Sequence, residues 1–224
     1  MHRLTRRQLA FITTVPLAWA ILLLFHPVGD TTAFYPTITD SVTQWQIVHI
    51  GMMLFIPLMG GVIYVLLRGV EGRAARIGRV AILPFLLFYG AFELLVGVGT
   101  GMLVAEVDAL PESQRAVGSE LVEDFAGSPI PLAFTILGGL SLVVSLLAAG
   151  IALSKSADGS RRFAPLVLLA LSAPLIAIHE PPLGPIGLAL FVAAALLAAK
   201  GSIRRPQASR LVYLNSTMAR SAGG

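Results

Sequence analysis

The chain has 224 residues, of which 56% are hydrophobic and 12% charged, with no cysteine and a net charge of +4; its mean hydropathy is +0.83. A soluble domain carries about 25% charged residues, so the composition points to an integral membrane protein. The missing thiols exclude disulfide scaffolds, Cys-ligated zinc, iron–sulfur clusters and thiol catalysis.

A membrane-crossing helix needs ~20 mostly apolar residues, range ~17–25. Six segments meet or approach this: Gln8–Phe25, Trp45–Leu67, Val80–Ala105, Pro131–Ser154, Phe163–His179 and Leu183–Ala199. The expected fold is an all-α six-span bundle, a single domain over residues 1–200, followed by a basic cytoplasmic tail over 201–224. The start Met1–Arg7 resembles the charged head of a signal peptide, but no A-x-A-like site follows the apolar run, so the segment reads as a retained first helix.

Charge placement orients the bundle. Of the 16 basic residues only Arg115 falls on the side opposite the others, which cluster before span 1, between spans 2 and 3, after span 4 and after span 6. Asp30, Asp40, Glu106, Asp108, Glu112, Glu120, Glu123, Asp124 and Glu180 lie on the other side. The positive-inside rule then places both termini in the cytoplasm of a multi-pass protein of the cell membrane. The basic pI is thereby an orientation signal and implies no nucleic-acid partner; the bilayer itself, and either further copies of the chain or a larger membrane complex, are the partners to expect.

Between spans 3 and 4, Val117, Leu121, Val122 and Phe125 fall at helical spacing opposite Glu120, Glu123 and Asp124. This pattern predicts a short amphipathic helix on the outer surface, its apolar face toward the bundle or the headgroups. Inside the spans, Gly90, Glu93, Gly97 and Gly101 share one stripe, and Gly97-x-x-x-Gly101 has the small-residue spacing that lets two backbones approach. Prolines at 16, 57, 84, 165 and 174 interrupt several spans, each removing a backbone hydrogen bond.

Three histidines far apart in sequence coincide in depth: His26 ends span 1, His49 lies about one turn inside span 2, and His179 ends span 5. With Glu180 and Asp30 beside them they form a candidate site under the outer surface. His26, His49, His179 and Glu180 have the donor chemistry for zinc, copper or iron, with copper favoured if Met52 or Met53 faces the same centre. His49 and His179 alone suit axial ligation of a haem. The cofactor is thus either a transition metal ion or a haem, and solvated interfacial histidines that bind nothing fit the same positions.

Glu93 is the other residue of interest. A carboxylate in mid-span must face the bundle interior and stay protonated or find a partner, so it is the candidate proton carrier; Tyr89, one turn away, is its nearest hydrogen-bond candidate, with Thr100 and Thr135 as lining groups. Glu93 lies ~17 Å and His49 ~6 Å from the outer ends of their helices at ~1.5 Å per residue, so direct contact between them is not expected. A cofactor- or metal-binding membrane protein is the leading reading. A small transporter coupled through Glu93 and a non-catalytic subunit of a membrane complex are the other two.

From His26-Pro27 through Trp45-x-x-x-His49 to the Gly97–Gly101 region, the chain resembles bacterial multi-spanning membrane proteins that carry a His-Pro after the first span and a Trp-x-x-x-His opening the second. The resemblance covers the first half and implies only that His26 and His49 mark the outer end of the bundle.

Overall fold

The computed structural model describes residues 4–29, 33–156 and 163–203, whose regular structure is all helical, with no strand among them. The elements are α1 (Arg6–Leu23), α2 (Phe34–Thr39), α3 (Val42–Leu66), α4 (Arg73–Asp108), α5 (Glu112–Ala126), α6 (Pro129–Ser156), α7 (Ala164–Ile178) and α8 (Leu183–Ile203). Four stretches are long and apolar enough to cross a membrane: Val42–Leu66, Arg73–Asp108, Glu112–Lys155 and Leu183–Lys200. The helix α1 opens on Arg6, Arg7 and Gln8, and α7 has only 15 residues, so neither is among the four. Asp30 and the tail beyond Ile203 lie outside the described residues; the last helix itself runs three residues past the expected boundary at 200.

The long helices form a ring in chain order: α1 packs on α3, α3 on α4, α4 on α6, α6 on α7 and α7 on α8, which returns to α1. The main core fills this ring, with Met52, Ile56, Met59, Ile63, Phe85, Leu142, Leu146, Leu169 and Phe191 all buried. Small residues sit where backbones cross. Ser145 donates to Gly78 O at 2.8 Å and Ser172 to Gly187 O at 2.8 Å, so two inter-helix crossings are tied by hydroxyls whose alternative would be an unsatisfied group in hydrocarbon. At the other end of α3, Arg79 donates to the carbonyls of Leu67 and Val70, satisfying acceptors that a helix terminus leaves open.

Two of the expected proline effects resolve differently. Pro165 stands in the first turn of α7, where its missing N–H removes no bond. Pro84 is followed by a wide-turned segment, Phe85–Tyr89, and a second one spans Glu93–Gly99. Such i→i+5 stretches collect at functional sites, and the second of these opens on the buried acid of α4, Glu93.

A second apolar cluster, Ile38, Trp45, Val104, Val107 and Val122, joins α2, α3, α4 and α5 at one end of the ring. The helix α2, which the sequence pattern did not predict, is anchored there by Glu123 of α5: its carboxylate accepts the backbone N–H groups of Phe34 and Tyr35 at 2.9 and 2.8 Å. The buried face of α5 is Gly118, Val122 and Ala126, whereas Val117 and Leu121 are exposed. The apolar stripe expected from spacing is therefore split, because Gly118 has no Cβ and lets Val107 of α4 approach on that side.

Candidate metal centre

The centre is built from two helix ends and from one helix register. Beyond α1 two turn bonds carry the backbone to His26, whose N–H donates to Leu23 O, and the imidazole is then oriented by Nδ1–H donating to Pro27 O at 2.7 Å. His49 lies in the second turn of α3, its Nδ1–H donating to Trp45 O one turn back at 2.8 Å. His179 terminates α7 in the left-handed region, φ 49°. That conformation is uncommon for a residue with a Cβ and costs of order 1 kcal/mol; here it turns the chain sharply at the histidine. The Tyr89 hydroxyl donates to Ala177 O at 3.1 Å and lies 3.0 Å from His179 Nδ1. With its one proton given to the carbonyl, the hydroxyl accepts from Nδ1–H.

The three rings therefore share one tautomer, assigned from their hydrogen bonds. Each Nδ1 carries the proton and is held by an oxygen, and each Nε2 keeps a free lone pair, the arrangement in which outer partners orient imidazoles for a metal. Ring centroids are 5.0 Å apart for His26–His49, 5.2 Å for His26–His179 and 6.3 Å for His49–His179. One donor atom from each of the three lies within 4.8 Å of the others, and all three side chains are buried. Tetrahedral ligands at ~2.0–2.1 Å from zinc stand roughly 3.3–3.4 Å apart, so the donor atoms have up to about 1.5 Å to close. Burial holds the His26 pKa below its ordinary value against the opposing effect of the Pro27 carbonyl, which keeps that imidazole neutral.

Glu93 corrects the depth arithmetic. Its Oε2 is 3.9 Å from His49 Nε2, where the sequence placed the two well apart. The reason is that α4 and α3 do not end level: α4 continues to Asp108, and its last turns are clad by α2 and α5 in the second apolar cluster. What fixes the register is a pair of matched spacings. A Cβ at Gly97 would strike the His49 ring and one at Gly101 the Trp45 ring, while Trp45 Nε1–H donates to Gly97 O at 2.6 Å. Trp45-x-x-x-His49 and Gly97-x-x-x-Gly101 thus lie against each other, knob to gap. Gly90, read as part of that stripe, faces open space.

Glu93 is fully buried at 0% exposure, and neither carboxyl oxygen has a hydrogen-bond partner; His26 Nε2 is also buried and unpartnered. Tyr89, expected to serve Glu93, serves His179 instead. Thr135 lines a cavity of ≈ 290 Å³ with the three histidines, Trp45, Phe92 and Glu180, whereas Thr100 is buried with its hydroxyl unpartnered and outside that lining. Glu180 contributes to the lining but not to the close donor set, and burial raises its carboxyl pKa. Met52 is buried in the main core, and neither it nor Met53 lines the cavity.

Tyr89, Trp45 and Gly97 are the supporting residues that sequence reasoning undervalued. The signal was present in the equal i, i+4 spacing of an aromatic–imidazole pair and a glycine pair. Comparison with family models, curated proteins and solved structures finds no match, so geometry alone carries the functional reading of this all-helical protein.

Proposed function

We propose that this is a metal-binding integral membrane protein of the cell membrane, in which His26, His49 and His179 hold a divalent transition ion, zinc first, and Glu93 stands beside it as proton acceptor. The observation that carries the reading is the convergence of three imidazoles, each fixed at Nδ1 by an oxygen, with a buried carboxyl, free of hydrogen bonds, standing 3.9 Å from one of them. Leaving such polar groups buried and unpaired costs about 1–3 kcal/mol apiece, and a cation among them supplies the missing interaction. Nitrogen and oxygen donors without thioether or thiolate favour zinc over Cu(I). Three protein ligands leave a position open for water or substrate, whose proton a neighbouring carboxylate can take.

A bare ion fits better than haem. His49 and His179 have about the separation that two axial imidazoles need, but the His26 ring then lies roughly 4 Å from their midpoint, inside the area a macrocycle would fill. For a transported solute, the ring interior beyond Glu93 is filled by Met52, Ile56, Met59 and Phe85, which supports a resident site over a passage.

In this reading the six long helices are spans, the termini are cytoplasmic, and the site end with α2 and α5 faces outward. Elemental analysis of gently purified protein tests the metal: about one equivalent of zinc is expected, lost in His49→Ala and in His179→Ala. Protein that neither retains zinc nor takes it up after dialysis overturns the proposal.

A further inference from the structure

The cavity lined by the three imidazoles has both polar and apolar walls. The histidines, Thr135 and Glu180 supply its polar lining, and Phe34, Trp45, Phe92, Val96 and Leu132 supply carbon. Of the lining residues, Gly127 and Leu132 are exposed, the latter at 58%, and Ile130 between them is 63% exposed, while Phe34, Phe92, Thr135 and Glu180 are partly exposed. The exposed segment Gly127-Ser-Pro-Ile-Pro-Leu132 carries no charge and forms an apolar flank of the cavity; the carboxyl in the lining is that of Glu180. Ile136 and Leu140 continue the exposed apolar face of α6 below it, so this is the flank that hydrocarbon would cover. A molecule already dissolved in the leaflet meets carbon along this flank and loses nothing by passing it, and the polar lining groups Thr135 and Glu180 remain for its head. The volume is at the lower bound of small-molecule sites, ~300–1,000 Å³. It holds a head and the first carbons of a chain, and the remainder stays in the bilayer.

We propose that the cavity admits a membrane-partitioned amphiphile from the lipid side, its oxygen-bearing head reaching the open position among His26, His49 and His179 and its hydrocarbon chain leaving past Leu132. This rests on the metal reading above and names the ligand class of the same site. The test uses the full chain in lipid nanodiscs loaded with Co²⁺, whose visible absorption reports its ligands. Octanohydroxamate and acetohydroxamate present the same chelating head with and without a chain. Octanohydroxamate is expected to shift the spectrum at a concentration at least about tenfold lower, as a few buried methylenes allow. Leu132→Trp, a change at an exposed position, is expected to abolish that difference while Co²⁺ stays bound, and Leu132→Ala to preserve it. Bound Co²⁺ with equal response to both hydroxamates overturns the ligand class alone, as does a difference that survives Leu132→Trp. Failure to bind Co²⁺, or a cobalt spectrum unchanged in His49→Ala, overturns the metal reading and this inference with it.

Discussion

Tyr89 links two chain segments that are 90 residues apart, and its hydroxyl holds His179 in the tautomer that frees Nε2. In Tyr89→Phe the ring still fills its place but Nδ1–H loses its acceptor. Outer partners of ligating histidines are worth about 10–100-fold in metal affinity, so zinc binding should weaken by that order while the helical content is unchanged; competition with a chromogenic chelator measures it. Gly97 makes a different demand. A methyl group there meets the His49 ring on its near side, whereas at Gly90 nothing lies within 4 Å. Overpacking of this kind costs about 1–3 kcal/mol, and Gly→Ala in an open helical position gains about 0.4–1 kcal/mol. Thermal midpoints in detergent should therefore fall for Gly97→Ala and hold or rise for Gly90→Ala; equal midpoints would show that Gly97 is not a contact.

At the scale of elements, the register of α4 against α3 decides whether the acid meets the imidazoles. Counting residues from assumed helix ends failed here, since helix ends in a bundle need not share a plane and the wide turns at Phe85–Tyr89 and Glu93–Gly99 rise less per residue than an α-helix. The matched spacings Trp45/His49 and Gly97/Gly101 carry the true register, which is local stereochemistry and could be read from the chain once the two helices were known to touch. The short helix α2 has its own dependency. Its six residues cannot stand alone, and the Glu123 carboxylate satisfies the N–H groups of Phe34 and Tyr35. Removing a helix-terminal acceptor costs about 0.5–2 kcal/mol, so Glu123→Ala should speed hydrogen exchange in residues 34–39 well before it affects α6 or α7. Uniform exchange across all these helices would contradict that anchoring.

For the whole molecule the ring of helices in chain order brings His26, His49 and His179 to one end, because successive long helices run in alternate directions and the histidines lie at the close of the first, near the start of the second and at the close of the fifth. The proposed orientation follows from charge. Since the chain has no cysteine, single introduced thiols need no background removal: in intact cells an impermeant maleimide should label Glu120→Cys and spare Arg73→Cys, and the reverse pattern would invert the topology.

Helical class and the presence of membrane-length apolar helices were legible in the sequence, because hydropathy accumulates along the chain and needs no knowledge of neighbours. So was the candidacy of the three histidines, from their common distance to helix ends. Their convergence was not, nor were the approach of Glu93 to His49, the service of Tyr89 to His179 or the apolar flank at Leu132. Each of these depends on which helices are adjacent and how far one slides along the next, and that is set by side-chain volumes at Gly97, Gly101, Gly118 and their partners, in contacts between residues tens of positions apart.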